Sequence, residues 1–258
     1  MTTKRRIRCF LFDLGSTLWV RHEEGTRQAK ERAYKRTGKM LHQARGGEAF
    51  SAYDAQALGR LVHKSLGQQL SAEKRLRPEY EPDFVEATLR TLQLLGLAHA
   101  DRALSEAVFE ALRVRIPASR VLFPDALHTL GALRQRGYML GVVTNRDYGG
   151  KLFYEDLRTM GLLDYFEYQH MAISADLGIR KPHPDIFKYV LTRLSVSPEE
   201  TAMVGDNLKA DVGGAKGLNM LGIWKPKPEI DAQEQTIKQE KIVPDLTIEH
   251  LQDLLGVF

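Results

Sequence analysis

The chain has one cysteine, Cys9, in 258 residues. No disulfide can form within it, and a reducing compartment is the expectation. Cys9 lies in an apolar run, where a thiol acts as a small buried hydrophobe, and it is given no catalytic role. Long apolar runs are also missing. Cys9-Phe10-Leu11-Phe12 stops at Asp13, too short for the apolar core of a signal peptide or for a membrane span. Charge of one sign is scarce, with 37 Lys and Arg against 33 Asp and Glu, a formal +4. That balance mildly favours anionic ligands and is no nucleic-acid signature. The basic residues Lys4, Arg5, Arg6 and Arg8 read as a solvated lead-in to a first strand. No repeat or low-complexity segment stands out. What remains is a 43% hydrophobic, 27% charged chain that can bury a real core. The expectation is a cytoplasmic enzyme with no nucleic-acid or membrane partner, a monomer or homodimer.

The apolar pattern begins at residues 7–12, a strand buried on both faces, and breaks at the small-residue turn Asp13-Leu14-Gly15-Ser16-Thr17. From about Trp19 to Arg115 the periodicity turns helical, with Phe84, Thr88 and Leu92 four apart, as are Leu104, Val108 and Leu112. Breakers fall at Gly46-Gly47, Pro78 and Pro82, and no strand is expected there. Beyond Pro117 strands and helices alternate. The strands are 139–143, 171–173, 202–204 and 222–224. The helices are 125–136, 151–160, 184–194 and one from about Asp211. Residues 232–241 read as a polar surface helix or loop, and 248–255 as a docking helix. Strands separated by helices predict an α/β fold with a parallel sheet covered on both faces. The helical block after the first strand predicts a cap, residues 20–113, inserted into a core formed by 1–19 and 114–258. Ligands then belong at the carboxyl ends of the strands.

Four polar clusters follow four expected strands. Asp13 beside glycine and hydroxyls is placed to attack or bind metal, or to make a turn. Thr144-Asn145-Arg146 suits phosphate oxygens at a loop entering a helix, or a helix cap. Lys181, in Arg180-Lys181-Pro182-His183-Pro184, suits a fixed cation or a surface lysine; His183 reads as structural or solvent-facing. Asp206 and Asp211, in Gly205-Asp206-Asn207 and onward, suit a hard cation with oxygen ligands, or a cap plus a surface acid. Structural accident explains the ordered set of four poorly.

Together these residues resemble the haloacid dehalogenase superfamily. Phe12-Asp13-Leu14-Gly15-Ser16-Thr17-Leu18 is similar to its first motif, Val143-Thr144-Asn145 to its second, Lys181 to its third and Gly205-Asp206-Asn207-Leu208-Lys209-Ala210-Asp211 to its fourth. The resemblance implies a Rossmann-like sheet of central order 3-2-1-4-5, numbered along the sequence, with a helical cap. It implies a Mg2+-dependent phosphatase acting on a small phosphorylated metabolite. Asp13 would be the nucleophile and Lys181 the charge-compensating catalytic lysine. Thr144 and Asn145, with Lys181, would bind phosphate. Asp13, Gly15 (through its carbonyl), Asp206 and Asp211 would bind metal.

One position departs from the pattern: Gly15 stands where such phosphatases usually carry the aspartate that protonates the leaving group. Its loss implies a bias toward weakly basic leaving groups, or a donor from elsewhere, for which His22, Glu23 and Glu24 are candidates. Two other readings stay open. Dehalogenases and phosphonatases of this superfamily also lack that aspartate, although the retained Asp206 and Asp211 argue against metal-free dehalogenation, and no cap lysine such as Lys30 or Lys35 is singled out for imine chemistry. The third reading is a phosphate-binding or regulatory protein without turnover.

Overall fold

The computed structural model describes residues 6–227 and 242–258; Lys4, Arg5 and the expected polar stretch 232–241 lie outside them. The chain forms two compact units, Arg21–Arg120 and Met1–Val20 with Val121–Phe258.

The first unit is helical. Its helices are α1 (Glu23–Gln43), α2 (Ala55–Leu76), α3 (Phe84–Leu94) and α4 (Arg102–Leu112). Each starts at a residue whose side chain accepts a first-turn N–H: His22, Asp54, Asp83 and Asp101. Both sequence stripes turn inward, with Leu92, Val108 and Leu112 joining Leu41, Leu58 and Val62 in one core. Gly38 on α1 and Gly59 on α2 let those helices approach closely, because a Cβ at either would overlap the other helix's backbone.

The second unit carries the sheet. In chain order the strands are β1 (Cys9–Phe12), β2 (Trp19–Arg21), β3 (Arg120–Leu122), β4 (Met139–Thr144), β5 (Met171–Ile173), β6 (Thr201–Gly205), β7 (Leu221–Trp224) and β8 (Leu246–Thr247). Six form one sheet in the order β5-β4-β1-β6-β7-β8, with every neighbouring pair parallel. The helices are α5 (Ala126–Gln135), α6 (Gly150–Thr159), α7 (Ser174–Leu177), α8 (Pro184–Leu194), α9 (Gly214–Lys216) and α10 (Leu254–Val257). β1 explains why its sequence is continuously apolar. Cys9 and Leu11 join Ile186, Phe187 and Val190 of α8 in one cluster. Phe10 meets the rings of Tyr138 and Phe258, and Phe12 that of Phe166. Alternate side chains thus enter two separate cores.

Three local expectations are corrected. β2 is a strand within the stretch read as free of strands; it pairs with β3, and its Trp-Val-Arg sequence is no continuous apolar run. Residues 248–255 form a 3-10 turn, Leu251–Asp253, followed by α10. Asp253 accepts the N–H groups of Glu249 and His250 and so delays the helix. The helix expected from Asp211 begins earlier, as a wide π-turn Leu208–Gly213 capped by Asn207, whose Oδ1 accepts Ala210 N–H at 2.8 Å.

Candidate active site

Strand register brings the clusters to one edge of the sheet. Phe12 pairs with Val142 of β4 on one side and Val204 of β6 on the other. Asp13, Thr144 and Asp206 therefore follow or end three adjacent parallel strands at their carboxyl ends, the edge where open α/β sheets place their ligands. Asp13 N–H donates to Val204 O at 2.9 Å, which fixes the turn directly after β1.

Lys181 enters from the loop before α8. Its ammonium donates to Asp13 Oδ1 and to Val143 O, each at 2.6 Å, and lies 2.6 Å from Asp211 Oδ1. Asn145 holds the lysine in place from the main chain: its Oδ1 accepts Lys181 N–H at 2.9 Å, and its Nδ2 donates to Lys181 O at 3.2 Å. Asn145 was expected among the phosphate ligands; both ends of its amide here grip the Lys181 peptide. Thr144 is buried at the end of β4, beside Val143.

Asp206 and Asp211 are brought together by the π-turn. Asn207 N–H donates to Asp211 Oδ2 at 2.9 Å. Gly205 makes room, since a Cβ there would overlap the Asp211 carboxylate. Trp224 Nε1–H donates to Asp206 O at 3.0 Å, and Lys227 Nζ stands 3.2 Å from Asp206 Oδ2. Asp13, Asp206 and Asp211 each offer an oxygen within 4.8 Å of the others.

The charges are strongly coupled. Burial above all, opposed by Lys181 and helped by Asp13 and Asp206, pushes the Asp211 carboxyl up to about 7. Burial, then the Asp13 charge, also raises Asp206 against the pull of Lys227. Burial works against the Lys181 charge, but Asp13 and Asp211 outweigh it and hold the ammonium above its ordinary range. Three clustered carboxylates thus face one buried ammonium, with Lys227 at 45% exposure on the rim. An all-oxygen donor set with surplus negative charge fits a hard divalent cation.

Around Gly15 the turn closes on itself. Ser16 N–H donates to Trp19 O at 2.7 Å, with Ser16 at φ 58°, and Gly15 forms an isolated bridge with Trp19. The three candidates for a substitute proton donor lie at the start of the helical unit. His22 Nδ1 accepts Gly25 N–H at 3.2 Å, Glu24 holds Arg27 and Gln28, and Glu23 stands 3.9 Å from Arg21. His183 caps α8, its Nδ1 accepting Asp185 N–H at 3.2 Å. Lys225 and Lys227 were not singled out in the sequence. Their only signal was a Lys-Pro-Lys run directly after a buried strand.

Residues 7–219 match the family model of haloacid dehalogenase-like hydrolases. The chain belongs to this family. Within the haloacid dehalogenase-like hydrolases, it is 43% identical over 102 residues to a glyceraldehyde 3-phosphate phosphatase of Pyrococcus furiosus, covering 39% of this chain and 40% of that one. It is 38% identical over 129 residues to a phosphoserine phosphatase of Thermus thermophilus, covering 50% and 48%. The chain thus spans less than half the length of both curated relatives. A solved structure described as a 2-haloacid dehalogenase from Pseudomonas syringae pv. Tomato DC3000 is 25% identical, with a TM-score of 0.66 and 97% of each chain covered. No helix among the described residues is long and apolar enough to cross a membrane.

Proposed function

We propose that this haloacid dehalogenase-like hydrolase is a Mg2+-dependent phosphatase of small phosphorylated metabolites, working through an aspartyl-phosphate on Asp13. The observation that carries the reading is the Lys181 ammonium held 2.6 Å from oxygens of both Asp13 and Asp211, inside a carboxylate cluster with surplus negative charge. A lone nucleophilic carboxylate needs no such cluster; a carboxylate that must approach a phosphate dianion needs the compensating cations. The names of the relatives, two phosphatases of small metabolites, support the same substrate class.

In the proposed reaction an Asp13 carboxylate oxygen attacks phosphorus, and the bond from phosphorus to the ester oxygen breaks. Water then attacks the aspartyl-phosphate, releasing inorganic phosphate and restoring Asp13. Lys181 orients Asp13 and offsets its charge as the phosphate arrives. Thr144 and neighbouring backbone N–H groups steady the equatorial oxygens, while Asn145 keeps Lys181 in position. Asp13, the Gly15 carbonyl, Asp206 and Asp211 would hold Mg2+, which supplies Lewis-acid charge neutralisation when bound. The helical unit is assigned the role of a substrate-selecting cap, and the scarcity of cysteine, one in the whole chain, supports a cytoplasmic setting.

Gly15 leaves the ester oxygen without the usual carboxylic acid, so turnover should favour weakly basic leaving groups. General acid–base help is worth about 10²–10⁴-fold, which slows such an enzyme without abolishing it.

The test is phosphate release from a panel of small phosphomonoesters, with Mg2+ and with chelator, beside Asp13→Asn. Metal-dependent release that falls at least ~10³-fold in the variant supports the assignment. Equal rates for parent and variant sink it. The full-length likeness to a haloacid dehalogenase structure favours one competing reading, metal-free halide displacement by Asp13. Halide release from a 2-haloacid in the presence of chelator decides for it.

A further inference from the structure

Directly after β7 the chain places a second cation, Lys225, in the interior of the sheet unit. Its backbone N–H donates to Gly205 O at 2.9 Å, continuing the pairing of β7 with β6. The residue is 3% exposed, and its ammonium lies 3.8 Å from the centroid of the Phe123 ring, a cation–π contact. Among the described residues this ammonium has no ion pair and no hydrogen bond. Asp125 and Asp206 favour its charge from a distance, but burial outweighs them and lowers its proton affinity.

Lys225 lines a cavity of about 640 Å³ with Phe123, Lys227, Asp125, Glu249 and Gln252. That volume suits a small metabolite. The acids of this wall act on Lys225 only at a distance: neither forms an ion pair with it among the described residues, and Asp125 Oδ2 accepts Gln252 N–H at 3.1 Å. Lys227 joins the cavity to the carboxylate cluster, because it lines the first and reaches Asp206 at 3.2 Å in the second. With no partner among the described residues and yet not sealed from solvent, the Lys225 ammonium opens onto the cavity, where an anion can reach it.

We propose that this cavity is a second anion subsite, in which Lys225 receives a carboxylate or phosphate at the non-transferred end of the substrate. The inference rests on the phosphatase reading and narrows it to phosphomonoesters that carry a further anionic group. The Phe123 face holds the ammonium without cancelling its charge, which leaves the charge for the ligand.

The experiment uses the full chain carrying Asp13→Asn, so that no turnover is needed. Calorimetric titration compares 3-phosphoglycerate with glycerol 3-phosphate, which replaces the carboxylate by a neutral alcohol. The inference expects the carboxylate compound to bind about tenfold tighter or more, the worth of a charge-assisted hydrogen bond. Adding Lys225→Met should collapse that ratio toward one, and Lys225→Arg should keep most of it. A ratio near one in the parent, or an unchanged ratio in Lys225→Met, overturns the subsite. Melting curves show whether Lys225→Met folds; if it does not, the ratio in the parent and in Lys225→Arg decides. If neither phosphate compound binds, the phosphatase reading has failed, and glycerate alone tests the subsite. Binding of glycerate that Lys225→Met abolishes keeps it, and no binding of glycerate overturns it.

Discussion

Lys181 Nζ lies 2.6 Å from Asp13 Oδ1, although 168 residues separate the two in the chain. Both side chains are buried, and Asp211 shares the same ammonium. Each group is tolerable in the interior only because the others are there, so the proposed machinery and the stability of the sheet unit are linked.

Lys181→Met removes that shared cation and should destabilise the protein by about 3–5 kcal/mol, the scale for breaking a buried pair from one side. The sign with pH follows from Asp211, whose carboxyl is already raised by burial. At low pH it is protonated in both the folded and unfolded states, and the loss is small. As pH rises the unfolded chain ionises first, and the deficit grows. Thermal melts of parent and variant between pH 4.5 and 8 check this; a pH-independent difference in melting temperature refutes the charge argument.

Asp211, pushed up to about 7 from an ordinary 3.8, makes the metal-free protein lose stability as pH rises between those values, because its unfolded carboxyl gives up the proton first. A divalent cation should reverse this by favouring the ionised carboxylates. Added MgCl2 should therefore raise the melting temperature more at pH 8 than at pH 5.5, and Asp206→Asn should blunt the response. An equal shift at both pH values speaks against binding at these carboxylates.

Gly15→Asp tests the proposed lack of a proton donor directly. A Cβ at Gly15 meets only Asp13 Oδ2 at 3.9 Å, an ordinary contact, so the backbone there accepts a Cβ. The variant should raise the rate on alkyl phosphates by about 10²-fold while changing aryl phosphates much less. An unchanged rate on both removes Gly15 as the explanation of leaving-group preference.

Asn145→Ala separates positioning from direct phosphate binding. Loss of the amide leaves two backbone groups of Lys181 without their partner, at about 1–3 kcal/mol if they stay buried. The expected kinetic signature is a lower kcat with little change in KM, together with a lower melting temperature. A rise in KM with kcat unchanged would instead make Asn145 a phosphate ligand.

Much of this was legible along the chain because the signals were local. The continuous apolar run of β1 marked a strand covered on both faces, and the helical stripes at Phe84–Thr88–Leu92 and Leu104–Val108–Leu112 marked buried helix faces. Asp13, Thr144, Lys181 and Asp206 were visible because each follows, or closely trails, such an apolar strand. β2 and β8 were not, since Trp-Val-Arg and Leu-Thr are no continuous apolar runs and their pairing partners are distant in sequence. The role of Asn145 was hidden for a related reason: its partner, Lys181, lies 36 residues away, and an amide after a strand suits a ligand as well as a peptide backbone.

The sequence by itself thus determined the kinds of element, the order of the polar clusters and the absence of a carboxylate at Gly15, because hydrophobic period and residue chemistry are properties of neighbours along the chain. Only the tertiary structure decided which charges meet. Parallel pairing of β1 between β4 and β6 put Asp13 beside Asp206 and Asp211. The loop before α8 laid one ammonium between two acids, and the end of β7 set Lys225 on the Phe123 ring. Such contacts depend on register and burial, and the strength of a charge inside a protein is set by what surrounds it in space.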